Sequence, residues 1–515
     1  MQPPEARTWG GLVRELAART PDAAAIAFEG RRISFRELDI ETDRYASGLL
    51  AHGVRKGDVV SVLAGNRPEW LYAFLGTVRI GAVLAPLNTW YKDEELAYGL
   101  RHPGVKLLFA VDRFVKQDYT AMLGRIRNGV PTLETVLPLD GELPSAPESA
   151  LAEVEAQVGP DDLCLLLYTS GSTASPKGVR LHHGAVIENC FNIGERMQLT
   201  ADDRYWFGSP LFYGMSTTNA LPACWTHGAC VAFQEVFDAG VALEVIERER
   251  ITAFCGVGNM TRAMLEHPDF SLRDLSSLEK GITGFSPEDK RLAIEGLGVR
   301  RCCSIYGLTE TYGNCAVTDA DDPLEVRLES QGFALPGWEL KVVDRDTEEE
   351  LPWGDVGHLL VRGFTTTGYF GDPEATAAAF TDDGFFRTGD LCVIRTDGRM
   401  RWVARLKEMI KTGGINVSPR EVEDLIDRHP DVRQVHVVGV PDPVKGEIVV
   451  AFVEPGLEGL DADAVRGFVA EHAASFKVPA HVLFRRDEEL PRVASGKVPK
   501  YLLREEAIRE LGGPP

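Results

Sequence analysis

Residues Leu163–Val179 read LCLLLYTSGSTASPKGV. An apolar run ends at Tyr168. Thr169, Ser170, Gly171, Ser172 and Thr173 follow, and Lys177-Gly178 closes the stretch. The pattern is a buried strand feeding a loop of small hydroxyl residues and glycine, finished by a cation. Such a loop offers backbone N–H groups, hydroxyl donors and an ammonium to phosphate oxygens. The Walker A spacing G-x-x-x-x-G-K-[ST] is absent, which disfavours a P-loop kinase or NTPase. Composition alone leaves a second reading open, because runs of Ser, Thr and Gly are commonly linkers.

Further strings of the same chemical character follow in order. They are Pro210-Leu211-Phe212-Tyr213-Gly214, Tyr306-Gly307-Leu308-Thr309-Glu310 and Phe386-Arg387-Thr388-Gly389-Asp390. Then come Ala404-Arg405-Leu406-Lys407-Glu408-Met409-Ile410-Lys411 and Pro491-Arg492-Val493-Ala494-Ser495-Gly496-Lys497. With the Thr169–Lys177 loop, and along nearly the whole chain, they resemble the motifs of the acyl-adenylate-forming enzymes. That superfamily holds acyl-CoA synthetases, peptide-synthetase adenylation domains and luciferases.

The resemblance implies attack of a carboxylate on the α-phosphorus of ATP, giving acyl-AMP and pyrophosphate. Negative charge then spreads over phosphate oxygens, and the site must supply cations and donors there. Lys497 is implied as the main cation, touching both carboxylate and phosphate. Thr169, Ser170, Gly171, Ser172, Thr173 and Lys177 would hold the β- and γ-phosphates. Glu310 would hold Mg²⁺ through one carboxylate together with phosphate oxygens. Asp390 would accept from the ribose hydroxyls, Arg405 would reach the ribose, and Tyr306 would stack on adenine beside Gly307 and Thr309. Lys407 stands at the superfamily's hinge position. The implied behaviour is two poses of a small C-terminal domain. One brings Lys497 in for adenylation, and the other presents the face from Met409 through Lys411 to Asn416 for acyl transfer. Gly413, Gly414 and Trp90 would line the acceptor channel, where glycine permits close backbone approach.

The resemblance implies an acid pocket of Phe207, Tyr213, Met215, Thr283, Gly284, Phe285, Gly307, Tyr312 and Asn314. Amino-acid-activating domains carry an aspartate where this chain has Tyr213. The expected acid is therefore aromatic, alicyclic or medium-chain. Departures from the pattern are Ala174 for a loop glycine, Tyr213 for a histidine, Ala404 for a glycine, and Trp90 where many CoA ligases have arginine. An anion site without that cation weakens the case for CoA, although Lys477 could serve. Two acceptors follow as expectations: the CoA thiol, or an amine as in coronafacic acid–amino acid ligases, with Trp90 the residue favouring the second. A luciferase-type oxygenase, a peptide-synthetase module and a non-catalytic binder fit less well.

These residues need a scaffold. Ser34 and Glu37 form a capping-box pattern opening a helix over 33–53. Val59–Leu63, a helix through Trp70–Gly81, Val83–Leu87 and a helical start at Lys92 continue a βα rhythm of a layered parallel α/β domain. Pro138–Pro160 reads as a surface connection. After Met400 the rhythm changes. Ser418-Pro419 opens a helix, Val435–Val440 and Ile448–Val453 read as strands, and Asp463–Ala473 as a helix. The expected fold is α/β: a large N-terminal domain (1–404) of layered α/β sheets with a β-barrel-like portion, plus a small mobile α+β C-terminal domain (405–515) hinged near Lys407.

The chain has 515 residues and a net charge of −22, which argues against nucleic-acid binding. Its nine cysteines have irregular spacing and no C-x-x-C pair, so they read as buried small hydrophobes in a reducing compartment. No signal peptide or membrane span is predicted, and the expected location is cytoplasmic. The implied small molecules are ATP with AMP as product, Mg²⁺, a carboxylic acid, and CoA or an amine.

Overall fold

The computed structural model describes residues 2–169, 176–283, 287–345, 347–412, 415–442, 445–456, 459–473, 475–492 and 498–512. Local signals set the first elements. Ser34 caps the helix Phe35–Ala51: its hydroxyl accepts the N–H of Glu37, and the Glu37 carboxylate accepts the N–H of Ser34 at 2.8 Å. Val59–Leu63 forms the expected strand with every residue buried. It runs parallel to Val83–Leu84 and Val105–Ala110. Burial on both faces is what a parallel sheet covered by helices requires.

Two sheets organise the larger part of the chain. One has the order Lys177–His182, Leu163–Thr169, Val83–Leu84, Val59–Leu63, Val105–Ala110, Thr135–Pro138. Its first pair is antiparallel and the rest are parallel. The other runs Arg301–Cys303, Lys280–Ile282, Ala253–Cys255, Arg204–Phe207, Cys230–Ala232, Ala24–Phe28, Arg31–Ser34, parallel except for the last pair. All nine cysteines are buried thiols without disulfides. Among the described residues no helix is long and apolar enough to cross a membrane.

The stretch Pro138–Pro160 is more ordered than its prolines and acids suggest. It contains the helix Glu148–Glu155, with Leu151 buried. Glu155 ends that helix beside a buried ion cluster. Arg79 has a fully buried side chain, 2.6 Å from Asp39, 2.7 Å from Asp43 and 3.6 Å from Glu155. Arg14 pairs with the same three carboxylates. Removing one partner of a buried ion pair strands the other in low dielectric. Arg79→Met is therefore expected to cost about 3 kcal/mol in urea unfolding. Arg36→Met, at an exposed guanidinium paired with the exposed Asp22, should cost under about 1 kcal/mol.

The chain separates into two compact units, Met1–Leu340 with Val361–Phe386, and Lys341–Leu360 with Arg387–Pro515. In the second unit Gly446–Pro455 pairs antiparallel with Val432–Asp442 and with Ile410–Thr412, and parallel with His481–Phe484. Ser418 caps the helix Pro419–Ile426, with proline in its first turn. Asp461 caps Ala462–His472. The apolar faces of both helices join Val435, Val437, Val449 and Ala451 in one core. The architecture is the expected mixed α/β one, with a large portion and a smaller α+β portion.

Candidate active site

The first site element is an antiparallel hairpin. Leu163–Thr169 pairs with Lys177–His182, with Lys177 opposite Thr169. Leu165, Leu166 and Leu167 bury one strand in the core. The hairpin end is anchored by Tyr98, whose hydroxyl donates to the Pro176 carbonyl at 3.0 Å. Tyr168 is hydrogen-bonded to His102 at 2.8 Å. Ser170, Gly171, Ser172 and Thr173 lie outside the described residues. Thr169 and Lys177 are half-buried at the two strand ends.

The second element is the tight turn Thr309–Thr311 after the strand Ile305–Tyr306. Thr311 folds the turn: its hydroxyl accepts the Leu308 N–H at 2.8 Å. Gly307 is required by close approach, because a Cβ there would stand 1.8 Å from the Gly313 carbonyl oxygen. Tyr306 is buried. Tyr312 holds a left-handed φ of +52°. Its ring is buried, and its hydroxyl accepts the His182 N–H at 3.1 Å. Burial pushes the Tyr312 phenol well above its usual range, so it stays protonated.

Hairpin and turn are joined by residues 366–370. The Thr366 N–H donates to the Glu310 carbonyl at 2.7 Å. The Phe370 N–H donates to the Gly178 carbonyl at 2.8 Å, and the Arg180 N–H to the Gly368 carbonyl at 3.2 Å. Tyr369 lies between. Its hydroxyl donates to Glu310 Oε1 at 3.0 Å. Its ring lies under the Lys177 ammonium, 4.7 Å from the centroid. The structure thus brings Lys177 and Glu310 to one side chain. No spacing rule singles out Tyr369. Its only sequence signal is the pair of glycines, Gly368 and Gly371, around an aromatic dipeptide.

The third element is the segment Tyr213–Ala220. A Cβ on Gly214 would lie 3.7 Å from Thr309 Oγ1, so this segment borders the Glu310 turn. Tyr213 and Met215 are half-buried. Trp90 is 41% exposed and packs edge-on against Phe212, with centroids 5.6 Å apart. Phe212 in turn lies 4.5 Å from Tyr213. One aromatic cluster therefore joins Trp90, expected in the acceptor channel, to Tyr213, expected in the acid pocket. Other pocket candidates sit deeper. Phe207 is fully buried and stacks on Phe233 at 5.3 Å. Thr283 and Asn314 are buried, each with one polar side-chain atom lacking a protein partner among the described residues. Gly284 and Phe285 lie outside the described residues.

In the second unit, Phe386–Ile394 pairs antiparallel with Met400–Arg405, placing Asp390 opposite Arg405. The Asp390 side chain is 1% exposed and 3.1 Å from Arg405 Nε. It also accepts from the Trp402 indole N–H at 2.9 Å. Trp402 is a second residue that the motifs did not reveal. Lys411 is exposed, and its backbone N–H donates to Glu447 at 2.8 Å. The Lys407 side chain, Gly413, Gly414 and Lys497 lie outside the described residues.

Comparison with known proteins places this arrangement. The AMP-binding enzyme family matches residues 13–370, and the AMP-binding enzyme C-terminal domain matches residues 421–497. The chain is 34% identical over 535 aligned positions to the putative acyl-CoA synthetase YngI of Bacillus subtilis, covering 97% of each. It is 34% identical over 489 positions to a feruloyl-CoA synthase of Amycolatopsis sp, covering 94% of this chain and 96% of that one. The solved anthranilate CoA ligase AuaEII, in complex with anthranoyl-AMP, matches with a TM-score of 0.86 at 27% identity, over 98% of both chains. The protein belongs to the AMP-binding enzyme family, the acyl-adenylate-forming ligases, and carries the family's main and C-terminal domains.

Proposed function

We propose that the protein activates an aromatic, alicyclic or medium-chain carboxylic acid with ATP and passes the acyl group to the thiol of CoA. A carboxylate oxygen of the acid attacks the α-phosphorus, and the bond from that phosphorus to the bridging oxygen breaks. Pyrophosphate leaves and acyl-AMP remains. The CoA sulfur then attacks the acyl carbon and AMP departs. The observation that carries this reading is the convergence of Lys177 and Glu310 on Tyr369. The aromatic cluster of Trp90, Phe212 and Tyr213 supports an apolar acid. Relatives named for ferulate and anthranilate support an aromatic one, and relatives named as CoA ligases support CoA over an amine. We place the enzyme in the cytoplasm.

Lys177 and the Thr169–Thr173 stretch are assigned to the β- and γ-phosphates, Tyr306 to adenine, and Asp390 with Arg405 to the ribose. Lys497 is assigned the cationic role at the α-phosphate. The functional division at 404/405, with its hinge near Lys407, the catalytic role of Lys411 on the acyl-transfer face and the acceptor-channel roles of Gly413, Gly414 and Trp90 belong to the same proposal. Magnesium fits Glu310. Among the described residues no group of three or more His, Cys, Asp or Glu could hold a metal alone. A single carboxylate completed by substrate phosphates is the donor set this ion uses in nucleotide sites. When bound, it would neutralise charge on the departing pyrophosphate.

The test uses ATP, Mg²⁺ and a panel of aromatic, alicyclic and fatty acids, with CoA or mixed amino acids in parallel samples, read by mass spectrometry. Acyl-CoA with one acid class is the expected result. Amide without acyl-CoA would overturn the acceptor. No pyrophosphate with any acid would overturn the activation step.

A further inference from the structure

We infer that Tyr369 is a positioning residue that fixes the Glu310 carboxylate for the metal and seats the Lys177 ammonium for the phosphates. The inference rests on the roles proposed above for those two residues. It goes beyond them by naming the side chain through which they act together.

The geometry gives Tyr369 two functions on one ring. Its hydroxyl donates to Glu310 Oε1 at 3.0 Å. Its face lies 4.7 Å beneath the Lys177 ammonium. A glutamate with several rotatable bonds spreads its oxygens over many directions. A donor held on one oxygen sets the carboxylate plane, and with it the direction a metal meets. Hydrogen bonds to ligating carboxylates do this in metal sites generally. An ammonium over an aromatic face keeps its charge while its position is narrowed.

The backbone around Tyr369 keeps the ring from following either neighbour. Thr366 is bonded to the Glu310 carbonyl at 2.7 Å, and Phe370 to the Gly178 carbonyl at 2.8 Å. The Tyr369 N–H itself donates to Thr376 Oγ1 at 2.9 Å. The segment is thus clamped on the turn side, on the hairpin side and from its own following helix, Pro373–Ala379. A backbone clamped on three sides fixes the point from which the ring reaches Glu310 and Lys177.

Calorimetric binding of α,β-methylene-ATP, which cannot release pyrophosphate, tests this without turnover. Affinity is measured in EDTA and again in saturating Mg²⁺, and the ratio is the metal gain. Tyr369→Phe keeps the ring under Lys177 and removes the hydroxyl. It should retain metal-free affinity and lose about tenfold of the metal gain. Tyr369→Leu should also lose about threefold of the metal-free affinity. Glu310→Gln sets the size of the complete loss. If Tyr369 acts through Glu310, adding Tyr369→Phe to Glu310→Gln removes nothing further. A Tyr369→Phe variant with the full metal gain, or additive losses in the double variant, would overturn the inference alone. Wild-type affinity indifferent to Mg²⁺ would overturn the reading of Glu310 and the inference with it. Should Tyr369→Leu fail to fold, the Phe and Gln cycle decides by itself.

Discussion

A Lys497→Ala enzyme should lose pyrophosphate release by about 10³-fold and still convert supplied acyl-AMP and CoA to acyl-CoA at near the wild-type rate. The asymmetry follows from where charge develops. In the first half-reaction a carboxylate approaches a phosphate, so two anions must be brought together. A single ammonium touching both lowers that barrier, and removal of one well-placed donor at a developing oxyanion costs about 3–4 kcal/mol. In the second half-reaction the leaving group is AMP and the attacking atom is sulfur. No second anion is forced against the phosphate, and the Lys497 charge is not needed there. The two halves are measured separately: isotope exchange between pyrophosphate and ATP for the first, thioester formation from synthetic acyl-AMP for the second. Equal losses in both would mean that Lys497 serves folding or general nucleotide binding. Lys497→Arg should restore little, because a planar guanidinium does not replace a compact ammonium at such a point.

Some of the motif strings were legible in the sequence because they are short and local. The Thr309-Glu310 pair lies in one tight turn, and Gly389-Asp390 lies in one strand of the second unit. Caps were legible for the same reason. Ser34 and Glu37 bond each other three residues apart, and Ser418 caps its helix with proline in the first turn. What local pattern cannot encode is partnership across the chain. Tyr369 meets Glu310 across a separation of 59 residues. Glu155 meets Arg14 across 141, and that long-range pairing helps explain why an acidic, proline-flanked stretch became the helix Glu148–Glu155 rather than a plain connection. The acid pocket was least legible. Phe207 and Tyr213 are both aromatic in the string, yet one stacks inside the core on Phe233 and the other joins Trp90 at a partly exposed edge. Only packing separates them.

Asp390→Ala is expected to raise the KM for ATP about 100-fold while changing the stability of the protein little. The binding estimate comes from two charge-assisted hydrogen bonds to ribose hydroxyls at about 1.5 kcal/mol each. The structural partners predict a small stability effect. Arg405 is 45% exposed, so loss of the carboxylate returns its guanidinium to water instead of stranding it. Arg405 keeps a bond to the Thr388 carbonyl at 3.4 Å, so loss of this half-exposed pair should cost about 1 kcal/mol. The indole N–H of Trp402 loses one neutral partner. Trp402→Phe separates orientation from charge. It keeps the carboxylate and removes the 2.9 Å bond that holds it, so it should raise the ATP KM by about tenfold at most, with kcat nearly unchanged. A 2′-deoxy-ATP substrate supplies the matching deletion. If Asp390 meets the ribose, the penalty for the missing hydroxyl should be large in the wild type and much smaller in Asp390→Ala, because the interaction has already gone. An undiminished penalty would place the ribose against another residue and leave Asp390 as a buried partner of Trp402 and Arg405.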